Sequence, residues 1–351
     1  MKYSYRDSVK LSIEPQEWNK NSGKEILQYC VGGLLYMPAS QEIAEKIISG
    51  KLSNVKSMVL DLEDALGDDM ISFGQRKIVE TFKTLDNAVK DKNVQFDINN
   101  VPLIFIRVRN KGQMLEAWNS LKGLSYLLTG FNIPKFDKTN CDDFISEFIT
   151  VQSNVKKTCG TEIYMMPIIE NKLAMYRQLR MDNLLYINNA LRAINPNVLN
   201  IRVGGADFCS IFGIRRGIDE CIYDIGAVRS VFSDIINVFG KNYVVSGPVW
   251  EYFGKEYDQD WDKGLKNELK YDKLNGFIGK TSIHPMQLPV IQESLIVSDM
   301  DYQDAMMILG INTNVQGVKK SAYGNRMNEV KTHSKWAQKV IALARVYGVK
   351  E

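Results

Sequence analysis

Val59-Leu60-Asp61-Leu62-Glu63-Asp64 is an apolar run that turns acidic within a few residues. A short apolar run ending in charge reads as a buried strand whose last residues emerge into a polar site. Three carboxylates this close repel one another, so they need a cation, basic side chains, backbone donors or open water. Outward from this stretch, the same pattern of apolar run and polar tip recurs.

The recurrent runs span 32–38, 57–63, 102–109, 130–135, 162–170, 199–207, 242–248 and 276–284. Between them lie stretches such as 41–48, 74–85, 112–121 and 174–191, with apolar residues at three- and four-residue steps that predict helices. Eight such alternations predict an α/β fold, a TIM (β/α)8 barrel, which needs about 250 residues. An open doubly wound sheet would carry a glycine-rich phosphate turn after its first strand. Here the first run ends in Met37-Pro38-Ala39-Ser40 instead. The barrel domain is placed at 1–297. Residues 298–351 read as a C-terminal helical extension with helices at 302–309 and 334–346, expected to cap the barrel mouth or meet a neighbouring subunit.

A net charge of +3 over 351 residues is no signature of nucleic-acid binding. The most basic stretch, from Lys319 to Arg326, reads as solvated surface. No apolar run approaches the roughly 20 residues needed to cross a bilayer, and the first residues lack a secretory core. Five cysteines without a CxxC pair favour reduced thiols in a cytoplasmic protein over a disulfide scaffold. With only His284 and His333 as imidazoles and no Cys/His cluster, a metal would be a hard ion held by carboxylates.

In a barrel the site lies at the carboxyl ends of the strands. Glu170 and Asp207 close the fifth and sixth runs, which places two acids side by side at the mouth as a candidate Mg²⁺ site. Glu170 has an alternative role as the cap of the helix that follows. Arg107 ends the third run, where its fork suits a substrate carboxylate or an enolate oxygen, or a salt bridge to Glu63 or Asp64. Alternation would point Arg109 the same way. Lys135, after Pro134, is a further candidate. The glycines of Gly204-Gly205-Ala206-Asp207 permit close approach of backbone to ligand. His284 reads as a hydrogen-bonded structural residue.

Taken in order, these motifs resemble the citrate lyase β-subunit-like branch of the HpcH/HpaI aldolase superfamily. The landmarks are Leu35-Tyr36-Met37-Pro38-Ala39, Leu60-Asp61-Leu62-Glu63-Asp64 with Arg76 downstream, Ile106-Arg107-Val108 and Ile133-Pro134-Lys135. They continue through Pro167-Ile168-Ile169-Glu170 and Gly204-Gly205-Ala206-Asp207 to the run from Gly276 to Gln287. The resemblance implies a Mg²⁺-dependent carbon–carbon lyase or aldolase that yields a 2-oxoacid or related carbonyl product through a metal-stabilised enolate. It implies metal ligands at Glu170 and Asp207, and a catalytic, substrate-binding Arg107 positioned by Glu63 and Asp64. Pro134, Lys135, Gly205 and Ala206 complete the implied substrate-binding set. The implied substrates are small hydroxy or oxo acids or their CoA or acyl-carrier-protein thioesters, in a homo-oligomer such as a trimer. Departures occur at Arg109, where the family often has Asn, and at Ser246-Gly247-Pro248, where it has Asp-Gly. The acid that related lyases draw from the C-terminal segment is matched here only by Glu329. A malate-synthase-like condensing enzyme and a non-catalytic barrel binding a ligand or partner stay open as alternatives.

Overall fold

All eight apolar runs form parallel strands: β1 Gly33–Pro38, β2 Ser57–Asp61, β3 Leu103–Arg107, β4 Leu128–Ile133, β5 Tyr164–Ile169, β6 Ile201–Val203, β7 Val245–Ser246 and β8 Lys280–Ser282. They neighbour one another in chain order, and β8 pairs with β1. The bridge Gly247↔Lys280 sets β7 against β8 and completes the ring. The expected TIM barrel is therefore the observed one. The computed structural model describes residues 1–94, 96–310, 318–321, 324 and 326–351.

Two compact units make up the chain. Asn19–Ile291 holds the barrel, while Met1–Trp18 and Gln292–Glu351 together form the second unit. The first eighteen residues, read from sequence as part of the barrel domain, thus belong with the C-terminal segment.

Strand sequences here are almost uniformly apolar because a parallel sheet is covered on both faces. In β2 to β4, Met58, Leu60, Ile104, Ile106, Phe131 and Ile133 join an outer core with helix residues such as Ile78, Phe82 and Phe148. Successive strand residues point to opposite faces, so Asp61, Arg107 and Asn132 face the barrel interior. That alternation brings polar side chains inside without exposing the apolar ones.

The helices differ from expectation in two informative ways. The helix expected over 74–85 runs from Ile71 to Lys90, because its buried face continues to Ala88. The one expected over 174–191 is broken into Lys172–Met175 and Arg177–Ala190 at Tyr176, which is extended (φ −73°, ψ 118°). Arg180 donates from Nε to the Ala174 carbonyl (2.7 Å) and from Nη2 to that of Met175 (2.8 Å), satisfying acceptors the break leaves open.

In the second unit, helices Asp299–Leu309 and Val330–Tyr347 pack through Ala305, Ile308, Ala337, Val340 and Ala344. The helical reading of this segment missed its strands. Leu11–Ile13, Val349–Lys350 and Val297–Ser298 form a small sheet, and Val318–Lys320 pairs with Met327–Glu329. Asp304, fully buried, accepts from Ser321 Oγ and Asn328 Nδ2 (2.8 Å each) and pairs with Arg326. Residues 322, 323 and 325 of the basic stretch lie outside the described residues. No helix among the described residues is long and apolar enough to cross a membrane.

Between β3 and β4 the register slips: Ile104 faces Leu128, but Phe105 faces Gly130. Thr129 is the extra residue, and its Oγ1 accepts the Ile104 N–H (3.1 Å). A β-bulge of this kind bends the strand, and glycine beside it allows close backbone approach. A Cβ on Gly130 would collide with the Tyr164 carbonyl of β5. Gly130→Ala is therefore expected to destabilise the barrel by about 3 kcal/mol, the upper end for overpacking. Urea denaturation checks it, and a loss below about 1 kcal/mol would mean that β4 and β5 can separate there.

Candidate active site

Asp61 is the last residue of β2, and its register partner across the sheet is Arg107, the last of β3. Arg107 donates to Asp61 through Nε and Nη2, both at 2.6 Å. The Asp61 carboxylate also accepts the N–H groups of Glu63 (2.9 Å) and Ala65 (3.3 Å), which turns the chain as it leaves the strand. Arg107 Nη1 lies 3.0 Å from Asp64 and 3.2 Å from Glu63. One guanidinium thus answers all three acids. The sequence pointed to Glu63 and Asp64 as its partners, and both are; the bidentate partner is Asp61, which the reading passed over.

Burial works against the charge of Arg107, but the Asp61 carboxylate more than offsets it and holds the guanidinium protonated. Its cation sits 5.2 Å from the centroid of the Tyr36 ring. Arg109 does not join this group. The strand ends at Arg107, so alternation stops, and Arg109 turns to the loop that follows β2. There it donates to the carbonyls of Glu63 (3.0 Å) and Leu66 (2.9 Å) and pairs with Asp68.

Glu170 follows β5, and Asp207 lies in the short helix Gly205–Ser210 after β6. A Cβ on Gly204 would stand 2.5 Å from Glu170 Oε2 and 2.9 Å from Asp207 Oδ2. Both carboxylates therefore crowd one point of the backbone where only glycine fits. Asn171, not Glu170, caps the helix that follows. Glu170 accepts the Lys135 backbone N–H (2.8 Å), and among the described residues neither acid forms a salt bridge. Burial, then the charge of Asp207, pushes the Glu170 carboxyl up to about 8. Asp207 is raised too, by burial and the charge of Asp64. Two hard oxygen donors held without a cation fit a divalent ion. Among the described residues no third His, Cys, Asp or Glu completes the set, so an ion there would draw its other ligands from water, substrate or neutral oxygen atoms.

Lys135 has a left-handed backbone (φ 49°), which aims its N–H at Glu170 while its ammonium pairs with Glu63 and lies 3.7 Å from Asp64. Burial raises the Glu63 carboxyl. Burial would raise Asp64 as well, but a hydrogen bond from Glu63 and the charges of Arg107 and Lys135 hold it low.

A cavity of about 410 Å³ opens over these residues, lined by Asp61, Asp64, Arg107, Glu170, Ala206 and Asp207 among others. Glu63, Pro134, Lys135 and Gly205 are outside its wall. Gly205 instead packs where a Cβ would meet Ile222 and Pro248. His284 accepts the Met286 N–H at Nδ1 (3.2 Å) and stacks on Phe253, a turn-forming role. Glu329 precedes a helix of the second unit, its N–H donating to His333. Sequence reasoning missed Tyr36, Arg202 and Thr281. The signal was there: a tyrosine and an arginine at inward positions of otherwise apolar strands.

The fold and site define an α/β-barrel enzyme with an acidic mouth crossed by one pinned arginine. The chain belongs to the C–C bond lyases of the TIM-barrel fold, whose family model matches residues 25–349. That is the carbon–carbon lyase class expected from its motifs. Among solved structures it resembles CitE from Mycobacterium tuberculosis in complex with magnesium, acetoacetate and coenzyme A, with 17% identity, 90% of this chain and 99% of that one covered, and a TM-score of 0.55. A citrate lyase from Burkholderia xenovorans LB400 matches at 13% identity, 91% and 92% coverage and a TM-score of 0.62. The same Mycobacterium protein with magnesium and pyruvate gives 18%, 82% and 96%, and 0.50. At these identities the likeness is one of fold. No curated protein matches the chain.

The raised Glu170 carboxyl has a measurable consequence. Between its ordinary 4.5 and about 8, the folded chain holds a proton that the unfolded chain has released. This group therefore favours folding fully below its ordinary value, and the contribution is lost as pH rises through about 8. In metal-free buffer the stability of the wild type relative to Glu170→Gln is expected to fall between pH 5 and 8 and level off above. Urea midpoints across that range test it; a pH-independent difference contradicts it.

Proposed function

We propose that this cavity is the catalytic site of a Mg²⁺-dependent lyase that cleaves a hydroxy acid, or its CoA thioester, to a 2-oxoacid or related carbonyl product. The observation that carries this reading is the pair of carboxylates, Glu170 buried and Asp207 half-buried, that line one cavity with Arg107 and have no salt-bridge partner among the described residues. Glu170 and Asp207 would hold the ion. When bound, it supplies Lewis-acid polarisation of a substrate oxygen. The CoA found with the Mycobacterium protein supports a thioester as one form of the substrate.

The chain's own residues account for the rest. Breaking a carbon–carbon bond beside a carbonyl leaves negative charge on that carbonyl's oxygen, and fixed donors aimed at it lower the barrier. Arg107 suits this task because Asp61 and Asp64 already hold three of its five N–H groups, so little reorganisation is left for the reaction. Glu63 and Asp64 act as positioning residues for the guanidinium. Lys135, paired with Glu63 and donating its backbone N–H to Glu170, keeps the two acid groups in register. The apolar wall given by Ile168, Val203 and Val249 excludes water, which strengthens each of these interactions.

A panel of 2- and 3-hydroxy acids and their CoA thioesters is expected to release a 2-oxoacid or aldehyde with Mg²⁺ present and none after EDTA. Glu170→Gln should lose Mg²⁺ binding in titration calorimetry along with turnover; unchanged Mg²⁺ affinity would sink the metal assignment. Arg107→Lys keeps a charge but loses the fork that grips Asp61, and kcat is expected to fall by about 100-fold with little change in Mg²⁺ affinity. A kcat within about threefold of wild type would remove Arg107 from the reaction.

A further inference from the structure

Arg202 occupies the middle of β6, between Ile201 and Val203 of the outer core, and so points into the barrel. It is 1% exposed. Nη2 donates to Thr281 Oγ1 of β8 (2.7 Å), and the Tyr36 side chain lies beside the guanidinium. Nε and Nη1 are buried without a hydrogen-bond partner, and among the described residues no carboxylate pairs with this cation. The polar layer around it is also incomplete. Asn132 Nδ2 donates to the Tyr36 hydroxyl (2.5 Å) while its Oδ1 has no partner, and neither side-chain polar atom of Asn200 has one.

An arginine buried without a counter-charge is costly, and the fold's other buried arginines near the site do not share this condition. Arg107 has Asp61, and Arg216 has Glu268 at 3.3 Å. Tyr36 and Thr281, the two side chains that flank Arg202, both line the cavity, while Arg202 itself lies outside its wall behind them. A cation so placed, with open N–H groups and two hydroxyls between it and the cavity, has the makings of a receptor for an oxyanion.

We infer that Arg202, with the Tyr36 and Thr281 hydroxyls, forms an anion subsite at the floor of the cavity that selects substrates carrying a second carboxylate, away from the group held at Glu170, Asp207 and Arg107. The inference rests on the lyase reading of that upper group. It makes Arg202 a specificity-determining residue, and it explains why the barrel keeps a cation that its own side chains leave unpaired. A monocarboxylic acid would fill the upper half of the cavity and leave the floor unanswered. A dicarboxylic acid would satisfy both ends through charge-assisted hydrogen bonds.

Titration calorimetry of the full chain with succinate and with butyrate, each with and without Mg²⁺, tests this. The two probes share chain length and differ in one carboxylate. The wild type is expected to bind succinate at least about tenfold more tightly than butyrate, and Arg202→Gln to abolish the difference with butyrate unchanged. Equal affinities in the wild type under both conditions, or a preference that survives in Arg202→Gln, would overturn the subsite. Thermal unfolding separates recognition from structure: Arg202→Met should keep or raise the midpoint of the free chain and lose the upward shift that succinate gives the wild type. If neither Arg202 variant folds, Tyr36→Phe and Thr281→Val decide, each expected to weaken succinate several-fold and butyrate little; equal weakening of both probes refutes the subsite. Failure of the wild type to bind Mg²⁺ would count against the metal reading alone, because the metal-free comparison still judges Arg202.

Discussion

The Asp61–Arg107 pair is the interaction on which the mouth of the barrel depends. It joins the tips of two adjacent strands through two 2.6 Å hydrogen bonds, with both side chains almost fully withdrawn from water. Bringing two such charges out of water is costly and is repaid only when every lone pair and N–H finds a partner. Here the carboxylate accepts from four donors, and the guanidinium has Asp64 and Glu63 on its far side. Once the pair is in place, the loop after β2 is turned by Asp61 itself and clasped by Arg109. Asp64 is then brought to the cavity wall as a by-product of an ion pair made for another purpose.

Much of the fold was legible because parallel strands covered on both faces leave a distinct mark. Each apolar run of five or so residues with a polar tip became one strand of the ring, and the family resemblance drew on the same tips. Glu170 and Asp207 were legible for the same reason, since adjacent runs of a barrel must end side by side. What escaped was of a different kind. Asp61 was hidden among three acids, and only strand register tells which of them meets Arg107 squarely. Arg202 and Tyr36 were hidden inside apolar runs, where alternation alone marks them as inward. The break at Tyr176 was not visible because the side chain that compensates it, Arg180, lies four residues further on. In the second unit Leu11 pairs with Lys350, about 340 residues away, a separation no local pattern can report.

The barrel interior is also layered by charge. Glu170 and Asp207 have raised carboxyls and no salt-bridge partner among the described residues; Arg107 is paired with three acids; Arg202 has no carboxylate partner among the described residues. Arg107 and Arg202 sit at inward strand positions, while Glu170 and Asp207 come from the segments that follow β5 and β6.

Lys135 gives the site a property that no single acid has. Its left-handed backbone lets one residue touch Glu170 through its N–H and Glu63 through its ammonium, while Glu63 in turn shares a hydrogen bond with Asp64. Groups wired together in this way release their protons in macroscopic steps that belong to the ensemble, not to its members. A pH–rate profile of this enzyme would then report the cluster as one unit. An inflection in it could not be assigned to a residue by replacing that residue alone, since each replacement resets the others.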